Sequence, residues 1–140
     1  MKLYIDCEFN GGFGDLISMA LVAEDGREFY EVVPCDAPVP WVRDNVIPIL
    51  HKHPISLNGF QGQLRNFLSS FDAIEIVADH PADLGYFFNA LIVDDMGSWM
   101  RVPPITATIV KNVNYESAIP HNALEDARAI REVLQEGSGT

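Results

Sequence analysis

The chain has 140 residues, of which 48% are hydrophobic, and a formal net charge of -11. This length and hydrophobic content suit one ordinary domain with a sizeable core, expected over residues 1–136, with residues 137–140 as a flexible tail. The negative charge disfavours a protein that coats nucleic acid non-specifically, because such proteins collect Lys and Arg to neutralise phosphates.

Three strands are predicted at the start of the chain. Residues 3–9 form an apolar run typical of a strand buried at the centre of a sheet, and residues 16–23 form a second. The turn signal at residues 24–26 leads to a third strand over residues 28–33. We expect these three strands to form an antiparallel meander.

Helices and two further strands alternate over the rest of the chain. Hydrophobic spacing predicts helices over residues 41–47, 61–71, 83–93 and 122–135, and apolar runs predict strands over 73–78 and 105–110. Residues 94–104 contain Gly97, Pro103 and Pro104 and are predicted to form an irregular loop. This order predicts an α/β domain of three layers, with a mixed central sheet covered by helices.

The two cysteines, Cys7 and Cys35, show no CxxC or Cys/His spacing that would bind zinc, so we expect free thiols. No segment has the basic stretch and apolar core of a signal peptide, and none approaches the length that spans a bilayer. The sequence therefore predicts a cytoplasmic protein without membrane contact.

Two acidic residues interrupt the first predicted strand. Asp6 and Glu8 are two positions apart, so the period of a strand aims both carboxylates at the same face. Two like charges on a buried strand need cations. The alternative is that one of them lies at the surface, because a lone D-x-E pattern is common by chance.

A second polar group opens the last predicted helix. Asn122 suits the N-cap and Glu125 the third helical position, which places His121 in the loop just before the helix. Asp126 shares the core-facing stripe with Ile130, and a buried carboxylate needs a metal or a base as its partner. Alternatively, Asp126 is a first-turn residue favoured by the helix dipole and His121 an ordinary loop residue.

A third acidic candidate follows the strand predicted over residues 73–78. Asp83 comes shortly after the carboxyl end of that strand, which is where ligands usually bind in α/β folds. Its alternative role is a helix N-terminal acid. Asp79, in the same stretch, is the fallback for the same position.

Together these residues resemble the three sequence motifs of the DEDDh 3′–5′ exonucleases. The matching stretches are Asp6-Cys7-Glu8, Asp83 and His121-Asn122-Ala123-Leu124-Glu125-Asp126-Ala127. The last stretch is similar to the H-x-A-x-x-D pattern that opens the final helix in this family. The hairpin after the first motif and Trp41-Val42-Arg43 resemble a compact bacterial and phage branch of RNase T-like exoribonucleases.

The resemblance implies a ribonuclease H-like fold and hydrolysis of phosphodiester bonds at the 3′ end of RNA or single-stranded DNA, releasing nucleoside monophosphates. Asp6, Glu8, Asp83 and Asp126 would hold two Mg²⁺ or Mn²⁺ ions. His121 would be the general base, a role that suits an imidazole because it titrates near neutral pH.

Substrate contacts are also implied by the resemblance. Phe9, Asn10 and Gly11 follow the first motif, near which family members accommodate the terminal nucleotide, and Phe9 and Asn10 stand where many members have hydroxyl residues.

Proteins of this kind are often dimers, so a homodimer is a further expectation. The competing interpretations are a catalytically silent nucleic-acid or protein-binding module, a ribonuclease H-like endonuclease and a small oligonucleotide phosphodiesterase.

Overall fold

The computed structural model describes residues 1–138. In that part of the chain, strands and helices alternate after an initial run of three strands. The strands are β1 (Lys2–Phe9), β2 (Leu16–Ala23), β3 (Glu28–Val32), β4 (Ile74–Ala78) and β5 (Ile105–Ile109). The α-helices are α1 (Pro40–Asn45), α2 (Leu57–Leu68), α3 (Pro81–Ala90) and α4 (Ala123–Ser138), and a 3-10 turn lies at Ile47–Ile49.

The strands form one mixed sheet in the order β3-β2-β1-β4-β5. β2 pairs antiparallel with both β1 and β3, whereas β4 pairs parallel with both β1 and β5. The α/β class and the mixed sheet expected from the sequence are therefore present. Because β1 and β4 run in the same direction, their carboxyl ends meet at one edge of the sheet, and the residues that follow them become neighbours.

Helices cover both faces of this sheet. On one face, Leu3 and Ile5 of β1 pack into a core with Phe60 of α2 and Phe87 of α3. On the other face, Tyr4 packs with Ile130 of α4. Alternate side chains of β1 thus point to opposite layers, as the period of a strand requires, and each large apolar side chain buried in this way contributes roughly 1.5–3 kcal/mol.

Helix α1 covers the end of the sheet next to β2 and β3. Its Val42, together with Val46, is buried against Ile17 and Val32. Pro40 lies in the first turn, where the missing N–H costs nothing. The helix ends at Asn45, before the 3-10 turn, so the prediction of one helix over residues 41–47 merges two short elements.

Helix α2 begins four residues before its predicted start. Ser56 caps it, because its Oγ accepts a hydrogen bond from the N–H of Gly59 at 3.1 Å. Gly59 and Gly62 are poor helix formers and obscured this start in the sequence. The helix also ends earlier than predicted, at Leu68, and Phe71 is buried from the turn that follows.

Helix α3 is shifted towards the N-terminus relative to its predicted span of 83–93. It begins at Pro81, with His80 as its cap, and ends at Ala90. Ile92, which was predicted to be helical, forms an isolated β-bridge with Trp99, so the backbone has left the helix by that residue.

Helix α4 continues to Ser138, into the stretch 137–140 where a flexible tail is predicted; residues 139–140 of that stretch lie outside the described residues. Among residues 1–138, no helix combines the length and the apolar content that crossing a bilayer would require.

Candidate metal centre and active site

The carboxyl-terminal half of β1 supplies two acidic side chains. Asp6 pairs with Ala20 and Glu8 with Ser18 of β2, so both carboxylates lie on the same face of the sheet. That face is the one that α4 covers through Ala20. Asp6 is only 8% exposed, and Glu8 is half-buried nearer the sheet edge.

Two further carboxylates come from the junction of β4 and α3. Asp79 directly follows β4, and Asp83 lies in the first turn of α3, where it is 4% exposed. An Oδ1 of Asp83 accepts a hydrogen bond from the backbone N–H of Cys7 at 3.1 Å. This bond connects the start of α3 to the middle of β1.

Small residues let α4 approach the sheet closely. Ala123 and Ala127 are buried against Ala20 and Val22 of β2. Asp126 lies in the same stretch of α4 and is also buried, with 6% of its surface exposed. Because the alanines bring the helix backbone close to the sheet, even a short aspartate side chain reaches the carboxylates of β1.

Asn122 anchors the start of α4. Its Oδ1 accepts a hydrogen bond from the N–H of Glu125 at 3.1 Å, which caps the helix. Its Nδ2 donates to the carbonyl oxygen of Ile49 at 2.8 Å. The cap and the tie to the 3-10 turn together set the position of His121, the preceding residue.

The five acidic side chains form two groups that share one member. Asp6, Glu8 and Asp126 offer carboxylate oxygens that all lie within 4.8 Å of one another. The same holds for Asp6, Asp79 and Asp83. The structure therefore brings together Asp6, Glu8, Asp83 and Asp126, the four carboxylates selected from the sequence, and adds Asp79 to them.

Mutual repulsion and burial make this cluster costly to ionise. Burial, followed by the charges of Asp83 and Glu8, raises the pKa of Asp6 well above its usual range. Burial and Asp126 raise the pKa of Glu8 to about 8. Burial and the charge of Asp79 raise the pKa of Asp83 to about 7. The hydrogen bond from the Cys7 N–H favours the charged form of Asp83 and so opposes this rise.

The residues present fit a divalent cation. Oδ2 of Asp6 is fully buried and has no hydrogen-bond partner among the described residues. A buried charged oxygen without a partner is unfavourable, and a cation bound between the two groups would supply one. The donors are carboxylate oxygens alone, which suits Mg²⁺ or Mn²⁺ rather than a metal that prefers sulfur or nitrogen.

His121 lines the same cavity, which has a volume of about 480 Å³. Its backbone has a φ of 73°, in the left-handed region that residues with a side chain seldom adopt. Its ring meets the ring of Trp41 edge-on, with 5.0 Å between the centroids. The exposed imidazole is thus held at the mouth of the cavity, beside the buried carboxylates.

The three residues expected to contact substrate lie at the end of β1 and in the turn that follows it. Phe9 and Gly11 line the cavity, and one face of the Phe9 ring stacks on Tyr86, with 4.7 Å between centroids. The Asn10 amide is engaged elsewhere: it donates to the Ala37 carbonyl and accepts from a backbone N–H of the segment before α1. Asn10 therefore holds the turn in place.

The cavity wall also contains aromatic and imidazole side chains that the sequence does not mark as site residues. Trp41 and Tyr115 line the cavity, as does His80 at the start of α3. A sequence signal for Tyr115 is the short alternation of apolar and polar residues over 113–116. Trp41 stood in a stretch that supported the family resemblance, but nothing there marked its ring as part of the site.

No protein-family model and no curated protein sequence matches this chain. The grounds for a function are therefore the geometry and chemistry of the site.

Proposed function

We propose that this chain is a metal-dependent 3′–5′ exonuclease of the DEDDh type, acting on RNA or single-stranded DNA with a free 3′ end. The observation that carries the proposal is the pair of carboxylate groups that share Asp6, with His121 at the same cavity. Two adjacent carboxylate groups that share a residue could hold the two neighbouring ions that two-metal phosphodiester hydrolysis uses. A ribonuclease H-like fold is proposed with it, supported by the mixed sheet and the successive antiparallel pairing of β1, β2 and β3.

The chemistry divides between ions and side chains. Mg²⁺ or Mn²⁺, held by Asp6, Glu8, Asp83 and Asp126, would neutralise the cluster and stabilise the charge that develops on the phosphate. Asp6 belongs to both carboxylate groups and would be a ligand common to the two ions. Its burial keeps solvent from competing for these oxygens.

His121 serves as the general base. Its exposed ring accepts a proton from the attacking water and can pass it to solvent. The water oxygen forms the new bond to phosphorus, the bond from phosphorus to the 3′ oxygen of the preceding nucleotide breaks, and that oxygen takes up a proton. The products are a nucleoside 5′-monophosphate and a strand shortened by one nucleotide.

The size of the cavity supports action on a terminal nucleotide. Its volume of about 480 Å³ is in the range of pockets that enclose one small molecule. Aromatic side chains at its wall, Trp41 and Tyr115, suit a nucleotide with a planar base.

The proposal is tested with single-stranded RNA and DNA carrying a 5′ label, incubated with Mg²⁺, Mn²⁺ or EDTA. We expect a metal-dependent ladder that shortens from the 3′ end. Asp6→Asn should abolish it, and His121→Ala should reduce it about 10²- to 10⁴-fold, the usual contribution of a general base. His53→Ala is the matched control, because His53 is exposed and does not line the cavity.

Other outcomes lead to other functions. Cleavage of a closed circular strand would replace the exonuclease with an endonuclease. Absence of cleavage with every metal, together with binding of the labelled strand, would replace it with a silent nucleic-acid-binding module.

A further inference from the structure

The segment between β5 and α4 forms one wall of the cavity. Over residues 113–119, the odd-numbered side chains are partly buried, whereas the side chains at 114, 116, 118 and 120 are exposed. This alternation is that of an extended chain. One row of side chains therefore faces the body of the protein, and Tyr115 belongs to that row and lines the cavity.

The ring of Tyr115 is held by packing against elements that also carry the carboxylates. It packs against a buried cluster formed by Tyr4 of β1, Val77 of β4 and Ile130 of α4. A ring packed on one side against strands and helix loses little further freedom when its edge binds a ligand.

The hydroxyl of Tyr115 makes no hydrogen bond with any residue in the described part of the chain. Two other tyrosine hydroxyls have structural roles: Tyr30 donates to the carbonyl oxygen of Leu50, and Tyr86 to that of Gly14. The Tyr115 hydroxyl is instead left as a donor at the wall of the candidate site.

This donor lies within the field of both carboxylate groups. Burial raises the pKa of Tyr115, and the charges of Asp6, Asp126 and Asp79 raise it further. Asp6 and Asp126 belong to one group, and Asp6 and Asp79 to the other. A phosphate placed on ions between these groups would therefore come close to a neutral O–H donor, which does not compete with the carboxylates for the ions.

We propose that the Tyr115 hydroxyl contacts the substrate directly, donating a hydrogen bond to a phosphate oxygen of the 3′-terminal nucleotide. The inference rests on the proposed function, since it assigns the phosphate to the same cavity. It adds a phosphate-binding group from a segment outside the three carboxylate-bearing elements.

Binding of the reaction product tests this inference without relying on turnover. The affinity of uridine 5′-monophosphate is measured by calorimetry in Mg²⁺ for the native chain, Tyr115→Phe and Tyr4→Phe. Loss of one hydrogen bond to a charged group should weaken binding by Tyr115→Phe about ten- to hundredfold. Tyr4→Phe is the matched control: it removes a hydroxyl from the same cluster but not from the cavity, and should bind like the native chain.

Two further measurements locate the contact. The affinity for uridine, which lacks the phosphate, should be equal in the native chain and Tyr115→Phe. The rise in Tm that Mg²⁺ alone produces should also be unchanged, because the hydroxyl is not an ion ligand in this proposal.

The outcomes separate this inference from the function on which it rests. Equal binding of the monophosphate by the native chain and Tyr115→Phe would overturn the inference and leave the exonuclease proposal standing. Weaker binding of uridine by Tyr115→Phe would also overturn it, because the hydroxyl would then contact the nucleoside. Loss of the Mg²⁺ effect on the Tm of Tyr115→Phe would overturn it too, because the hydroxyl would then be part of the ion site. No binding of the monophosphate by the native chain in Mg²⁺ would overturn both.

Discussion

Asp83 shows how a single side chain serves two purposes at this site. One oxygen accepts the Cys7 N–H, which supports the fold, while the charge repels Asp79 and Asp6. An asparagine at this position would keep the acceptor oxygen and remove the repulsion. The structural and the electrostatic roles of Asp83 are therefore separable by one isosteric substitution.

At pH 8 and without divalent ions, we predict that Asp83→Asn raises the stability of the protein. Relief of about 1 kcal/mol corresponds to a rise in Tm of about 2–8 °C, measured by circular dichroism or calorimetry. Asp72→Asn is the control, because Asp72 is exposed and lies outside the cluster. In Mg²⁺, Asp83→Asn should have a lower Tm than the native chain, because the variant has lost an ion ligand. A lower Tm for Asp83→Asn in the absence of ions would contradict this account.

At the scale of elements, the two capped helices α2 and α4 offer a direct comparison. Ser56 makes one capping bond, to the Gly59 N–H, whereas Asn122 caps α4 and also donates to the Ile49 carbonyl. Asn122 is 4% exposed, so its removal leaves buried groups without partners.

We predict that Asn122→Ala lowers the free energy of unfolding by about 2–4 kcal/mol, the sum of a lost cap and a buried unpaired group. Ser56→Ala should cost about 1 kcal/mol, a typical value for a cap alone. Urea denaturation of both variants checks the difference. Equal losses would show that the bond to Ile49 contributes nothing to stability.

The elements also show what sequence patterns can and cannot predict. The strand of Asp6 was predictable from its apolar run, and the helix of Asp126 from its hydrophobic periodicity and its capping residue Asn122. The start of α2 was not, since glycines weakened the pattern around it. The meeting of Asp6 with Asp79 depends on the parallel pairing of β1 with β4, a long-range contact that no local pattern specifies, and the same is true of the place of Tyr115 at the cavity.

For the whole molecule, the acidic cluster determines how stability depends on pH. The pKa values of Asp6, Glu8 and Asp83 are raised in the folded state, so folding favours their protonated forms. Their contribution to stability is fully present below the ordinary carboxyl range and is lost as pH rises through the folded-state values. For Glu8 and Asp83 those values are about 8 and about 7.

We predict that the Tm of the metal-free protein falls as the pH rises from about 5 to about 8.5. Mg²⁺ should restore most of the loss, so that its effect on Tm grows with pH, because ions replace protons as partners of the carboxylates. Thermal unfolding in EDTA and in Mg²⁺ across this range is the measurement. In EDTA, the fall of Tm with pH should be less steep for Asp6→Asn than for the native chain. A Tm of the native chain that rises with pH in EDTA would contradict the prediction.

The distribution of the carboxylates along the chain has a consequence for protein synthesis. Asp6 is supplied by the first strand and Asp126 by α4, and their oxygens meet only when that helix docks. A nascent chain that has not yet released α4 from the ribosome lacks the group containing Glu8 and Asp126. Contacts this distant in sequence must close a long loop, and the entropic cost of closing it makes them slow to form. The complete centre, with both carboxylate groups, therefore exists only after α4 has docked, whereas the group of Asp6, Asp79 and Asp83 needs no residue of α4.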